Sequence, residues 1–359
     1  MAAPETATIH TDIIDTHILP RLDGETLASA ACASSQLYSL CTQDKLWMNV
    51  CNSKWPSTHH PRVRDAISAF PAGHRSFVSD SVPSILVPQK NHHPRPSQAP
   101  ELISAVDIYY QSTAVYSRVE VTETQSESFA RSPFWVELSD PKRTVTTPVK
   151  FEDDGDMFLS HLEEHMSLSW ILIDQTRSRA VNLSSVRPVS VCRHRLADEV
   201  QLMYVTILAV DDGSSGFVEC RVVVTCCGRE GGELHVKEVS LQVQNMDGKS
   251  LSGREAVVIL QEATESGRRK IGGSGEERER YGEFLAMQRE RKEGKSRKER
   301  RLDSLSYATW LFMFVTLMVV LGGVRENGKG LGLLDEGKWV FNGYVREWKD
   351  GERVAVSEK

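Results

Sequence analysis

The chain has 359 residues, with 49 Asp and Glu against 43 Lys and Arg for a formal charge of -6, and 40% of its residues are hydrophobic. That length accommodates two ordinary domains of roughly 100 to 200 residues, or one with long extensions, and the charge balance excludes a broadly basic surface, so nucleic acid is not an expected partner. Seven cysteines, an odd number without a Cys-x-x-Cys pair, argue for a reducing compartment and against a disulfide framework.

The first residues, "MAAPETATIHTDIID", have neither a basic start nor an apolar core, so no secretory signal is expected. Residues 12–56 read as short helices, because Ile14 and Ile18, then Leu27, Ala30 and Ala31, then Leu46, Trp47, Val50 and Cys51 recur at helical spacing. Asp23 is placed to cap the second helix and Thr42 or Asp44 the last, which Pro56 ends. Residues 57–100 are rich in proline, and 56–100 hold eight of the chain's fourteen, so this stretch reads as a connector without a continuous helix but with some ordered parts, notably "AGHRSFVSDSVPSILV", whose apolar residues suit packing on the neighbouring domain. Its paired histidines, His59 with His60 and His92 with His93, lack a second ligand set and read as solvated loop.

Residues 101–263 form the second domain. It opens with "ELISAVDIYYQS", read as a helix, and then changes period: "PFWVEL", "LSWILID", "VSVCRH", "QLMYVTILAV", "FVECRVVVT", "LHVKEVSLQV" and "EAVVILQE" read as short strands separated by turn residues. The Asp-Gly step in "NMDGKSLSG" suits a hairpin turn. The expected fold class is α+β, with a helical N-terminal region and a mainly antiparallel, sandwich-like domain. Trp135 and Trp170 sit in apolar strand patterns that favour the core, while tryptophan also commonly anchors binding surfaces and the sequence does not decide between the two, and Cys226 and Cys227 read as small buried hydrophobes.

Beyond that domain, residues 264–304 combine a glycine hinge with a highly charged helix, and eight Lys and Arg fall between Arg289 and Arg301. The uncharged run 307–324, "YATWLFMFVTLMVVLGGV", approaches the roughly 20 apolar residues of a bilayer span. We read 305–324 as a C-terminal transmembrane anchor, and the basic residues before it leave the long N-terminal part on the cytosolic face. Without the anchor the expected location is cytoplasm or nucleus. The tail 325–359 has no strong pattern.

Catalytic constellations are weak. "HLEEH" places His161 and His165 four apart but lacks the Glu directly after the first His that metalloprotease helices use, and a third ligand. Gly272, Gly273 and Gly275 fit neither a phosphate loop nor a dinucleotide fingerprint. Neither a catalytic residue, a metal nor a cofactor is therefore expected. Asn182 begins a glycosylation sequon that matters only for a lumenal chain.

The pattern "DIIDTHILPRLDGETLASAACASSQLYSLCTQDKLWMNVC" resembles an F-box, with an Ile-Leu pair, Leu-Asp three residues on, an apolar helix, and Leu46-Trp47 followed by Cys51. It departs from the pattern at His10-Thr11, where a Leu-Pro opening is usual, and at Gln36-Leu37, where an aromatic is common. Further blocks, among them "HRSFVSDSVP", "RAVNLSSVRPVSV" and "ERYGEFLAMQRERKE", extend the resemblance to about Leu302, towards a plant F-box protein family with an uncharacterised C-terminal domain. The resemblance implies a three-helix F-box over 10–56 that docks a Skp-type adaptor, and through it cullin and RING subunits, while the β-rich domain binds a protein substrate. It places Ile14, Ile18, Leu19, Pro20, Leu22, Leu27, Ala31, Leu46 and Trp47 at or beneath the docking surface. The same residues would serve a lobe that packs on its own second domain. From a different class comes a membrane-tethered module that binds protein or glycan without a ubiquitin role.

Overall fold

The computed structural model describes residues 11–82, 84–86, 99–138, 144–151, 155–194, 199–210, 216–229, 231–265, 269–271, 274–326, 340–341 and 344–345. The chain divides into two compact units, Met1–Lys292 and Glu293–Lys359.

The first unit opens with one irregular helical passage, α1 (Thr11–Ile13), a π-turn (Ile14–Ile18) and a 3-10 turn (Leu19–Arg21). Three helices follow: α2 (Gly24–Ala31), α3 (Ser35–Cys41) and α4 (Asp44–Lys54). Asp23 caps α2 as expected, its Oδ1 accepting from Thr26 N at 2.8 Å. Helix α3, which sequence periodicity did not pick out, starts at Ser34, whose Oγ accepts from Leu37 N at 3.1 Å. Asp44 is not the cap of α4 but its first residue, and its Oδ1 accepts from His74 N at 2.9 Å. The carboxylate thus reaches the next helix pair instead.

The proline-rich stretch is helical over its first part, where the connector reading needs correction. Helices α5 (Pro61–Ser68) and α6 (Gly73–Ser81) bury Val63, Ala66, Ile67, Phe77 and Val78. Pro61 stands at the first helical position, where its missing N–H costs nothing, so proline marks helix starts here rather than breaks. Trp55, Phe70 and Phe77 make edge-to-face pairs at 5.8 Å in this enlarged core. Gly73 has φ +53, and an added Cβ would lie 2.4 Å from Asp44 Oδ1, so only glycine fits this turn.

A short pair, β1 (Ser84–Leu86) with β12 (Arg269–Ile271), lies outside two larger antiparallel sheets. The four-stranded sheet has the order β3-β2-β6-β7, from β2 (Glu101–Tyr110), β3 (Thr113–Glu123), β6 (Met166–Asp174) and β7 (Arg179–Asn182). The six-stranded sheet runs β4-β11-β10-β9-β8, with β5 also on β11. Its strands are β4 (Trp135–Glu137), β5 (Val145–Lys150), β8 (Ser190–His194), β9 (Glu199–Val210), β10 (Gly216–Cys227) and β11 (Glu233–Asn245). The inner faces share one core that includes Val106, Trp170 and Leu172 from the first sheet and Tyr204, Val222 and Leu241 from the second. The architecture is therefore α+β, with the expected sandwich-like pair of sheets.

Two segments of this domain differ from expectation. "ELISAVDIYYQS" is strand β2, because both faces of the four-stranded sheet are buried and the apolar run therefore lacks strand alternation. Leu102, Val106 and Ile108 face the sandwich core, while Ile103 and Ala105 face the helical lobe. "EAVVILQE" is not a strand but lies in helix α9 (Gly253–Glu265), which joins α7 (Glu127–Arg131) and α8 (Gly155–His165) inside the domain. Ser252 Oγ donates to Glu255 Oε2 at 2.7 Å, and Glu255 Oε2 also accepts from Ser252 N at 3.0 Å, a capping box written in "SGRE".

The lobe and the sandwich share a buried seam. Ile103, Ala105, Ile171, Ile173 and Ala180 belong to the same cluster as Leu27, Trp47, Trp55 and Phe77. Fully buried Asp107 accepts from Ser57 N at 2.9 Å and Ser57 Oγ at 2.5 Å, and burial raises its pKa against those bonds. Asp80 accepts from Arg179 Nε at 2.8 Å and Ala180 N at 3.1 Å. Asn182 is buried too, donating to Ser81 O at 3.3 Å, so its sequon is part of the interior.

Helix α10 (Ser274–Glu326) passes from the first unit into the second. Among the described residues no helix is long and apolar enough to cross a membrane. The span expected over 305–324 is therefore not found among the described residues. The side chains of 319–324, the glycines 272–273, the paired His92 and His93, and nearly all of the tail lie outside the described residues.

Candidate functional site

Helix α4 supplies the centre of the helical lobe. Leu46, Trp47, Val50 and Cys51 recur at one-turn spacing and form a single buried stripe. Trp47 Nε1 donates to Cys41 O at 2.7 Å, satisfying a carbonyl that the end of α3 leaves without a helical partner. Of the nine residues assigned from sequence, Leu19, Leu27, Ala31, Leu46 and Trp47 are interior, at 1–6% exposure. Ile14 and Leu22 are half-buried against the same cluster. Only Ile18, at 39%, and Pro20 are open to solvent.

The exposed apolar residues are therefore a different set. Ile13 is 48% exposed and Tyr38 53%, so with Ile18 and Pro20 they are apolar residues left open on the N-terminal turn and α3. Two side-chain bonds hold these segments side by side: Gln36 Nε2 donates to Thr11 Oγ1 at 3.0 Å, and Gln43 Nε2 to Asp15 Oδ1 at 3.2 Å. The Arg75 guanidinium lies 5.5 Å from the Tyr38 ring centroid, a cation over its face. A signal for Ile13 was present, since adjacent Ile13 and Ile14 cannot both face one core from one helix. Tyr38 was hidden because α3 was not recognised.

The lobe's shifted groups are a helix cap and buried thiols. The Thr26 hydroxyl and amide beside Asp23 hold its carboxyl below the usual range, consistent with a helix cap. Burial pushes the Cys51 thiol up to about 12 and raises Cys41 as well, so neither is a thiolate near neutral pH. His161 and His165, read from sequence as an exposed polar helix or loop, stack at 4.2 Å on α8. His161 Nε2 lies 2.9 Å from Tyr110 Oη. Among the described residues no group of three His, Cys, Asp or Glu is placed to hold a metal ion. Trp170 is fully buried, as expected, with Nε1 donating to Ser104 Oγ at 3.2 Å. Trp135, which the sequence left open between core and surface, is 46% exposed, because Val136 beside it takes the inward position.

Comparison with known proteins points the same way as the lobe. The chain is 40% identical over 327 residues to F-box protein At2g27310 of Arabidopsis thaliana, covering 87% of this chain and 94% of that protein. It is 41% identical over 316 residues to Probable F-box protein At2g36090 of the same plant, covering 87% and 92%. A third relative, F-box protein At3g44326, is 38% identical over 318 residues, covering 86% and 88%. No family model matches the chain, and no solved structure matches it.

Proposed function

The chain belongs to the plant F-box protein family, and on that premise we propose that it is the substrate-recognition subunit of a Skp-cullin-F-box ubiquitin ligase. The helical lobe docks a Skp-type adaptor, which brings the cullin and RING subunits, and the sandwich binds the protein to be modified. The chain itself contributes no residue to ubiquitin transfer. What supports this reading is the exposure of Ile13, Ile18, Pro20 and Tyr38 on a lobe whose own core is otherwise closed. Apolar side chains held open on rigid helical turns suit a partner whose own apolar side covers them.

The interior residues support that surface from beneath. Leu46→Ala and Trp47→Ala each remove a core side chain, at about 2–5 kcal/mol, and so unfold the lobe rather than test docking. The discriminating variant is Ile18→Asp with Tyr38→Ala. Its expected outcome is at least a tenfold loss of co-purified Skp-type adaptor, with the urea midpoint unchanged. Undiminished adaptor capture by the folded double variant would remove this surface from the docking site.

A further inference from the structure

The two edges of the four-stranded sheet are finished differently. At the β7 edge α6 lies alongside, and Ala180 N donates to Asp80 Oδ2 at 3.1 Å. At the other edge β3 has β2 on one side and, among the described residues, no strand on the other. One bond fixes the phase of its backbone. Thr124 N donates to Pro100 O at 3.0 Å, and because inward and outward groups alternate along an antiparallel strand, Thr122, Glu120 and Arg118 turn their N–H and C=O towards β2. Ser117, Val119 and Val121 turn theirs away from the sheet, and among the described residues no backbone hydrogen bond reaches them from that side.

An open edge is a template for another strand, and charged side chains are a common means of blunting it. The charges on this edge have opposite signs. Arg118 lies across from Val106 and Glu120 across from Ser104, which puts both on the sandwich side of the sheet. Glu120 is exposed and Arg118 half-buried, and neither has an ion-pair partner among the described residues. On the other side, Val119 and Val121 lie across from Ala105 and Ile103, half-buried against the lobe.

We propose that β3 pairs antiparallel with β3 of a second copy of this chain, about a two-fold axis at Val119, so that Arg118 of each copy lies across from Glu120 of the other. The same axis sets Val119 across from itself and Ser117 across from Val121, and the outward N–H and C=O groups of all three gain backbone partners. Opposed side chains in such a pair have Cβ atoms about 4.5–5.5 Å apart, close enough for a guanidinium to meet a carboxylate. Charge selects the register. An axis at Arg118 would oppose two arginines and one at Glu120 two glutamates, while axes at Ser117 or Val121 set both charges against uncharged residues. Only the axis at Val119 matches each charge with its opposite. The contact uses the same edge of both copies, so it closes at two. It depends neither on adaptor docking nor on target binding, and it would give one assembly two helical lobes and two sandwiches.

The test mixes two differently tagged preparations of the full chain and measures how much of one is captured with the other. Wild type is expected to capture wild type. Arg118→Glu mixed with itself, and Glu120→Arg mixed with itself, each lose capture at least tenfold, because like charges then oppose one another. Arg118→Glu mixed with Glu120→Arg recovers to within twofold of wild type, since acid again meets base at both crossings. Unchanged urea midpoints establish that each variant is folded. Capture that is equal in every combination places association on another surface and overturns the proposal. So does a mixture of the two variants that stays apart, or a wild-type chain that captures no copy of itself.

Discussion

At the scale of single residues, the exposed and buried members of the lobe divide the work. Trp47 and Leu46 are quoted easily from the sequence because they interrupt a polar helix with apolar bulk, yet they sit at 4% and 6% exposure and meet only their own chain. Ile13 and Tyr38 have no distinguishing context in the sequence and are the residues left outside. A second example lies in the β2–β3 hairpin, where Tyr110 pairs with Thr113 and two residues make the turn. Gln111 and Ser112 both have positive φ, at 47 and 68, in a turn that ordinarily selects Asn and Gly. The pair Gln111→Asn and Ser112→Gly is therefore expected to raise stability by about 0.5–1 kcal/mol, read as a higher urea midpoint. A lower midpoint would mean that these side chains contribute more than their backbone strain costs.

At the scale of elements, the start of α10 carries a pH-dependent contact. Glu277 Oε2 accepts from Val186 N at 2.9 Å, and burial pushes the Glu277 carboxyl up to about 7 despite that bond. Glu163, Glu164, Arg187 and Arg278 line the same cleft, which encloses about 390 Å³. Because the folded carboxyl holds its proton to higher pH than an unfolded one near 4.5, the folded state binds more protons between those values. Stability therefore falls as pH rises from about 4.5 to 7, and the contribution is whole only below that window. Urea midpoints at pH 5 and 7.5 measure the slope, and Glu277→Gln is expected to flatten it. An unaltered slope in that variant would move the titration to another group. Helix α9 teaches the complementary lesson about legibility: "SGRE" carries a complete capping box, but the β-branched content of "AVVIL" outweighed it in the sequence reading.

At the scale of the whole first unit, the four-stranded sheet is the shared wall between lobe and sandwich. Ile103, Ile171 and Ile173 each bury on the lobe side, at about 1.5–3 kcal/mol apiece. Their sum is comparable to the roughly 5–15 kcal/mol that keeps a domain folded, so lobe and sandwich should unfold together. Calorimetry of residues 1–292 is expected to give one transition, and a chain starting at residue 100 should expose that wall and aggregate. Two separated transitions would show that the seam of Asp107 with Ser57 and Asp80 with Arg179 does not couple them. The sequence by itself determined the α+β class, most of the long strands and the F-box pattern, because helix caps, turn residues and residue periodicity are local properties of the chain. Only the tertiary structure decided which apolar residues remain outside. A helical stripe looks the same whether its cover is another protein or the chain's own elements, and here it shares one cluster with α5, α6 and the four-stranded sheet, while Ile13, Ile18, Pro20 and Tyr38 stay exposed.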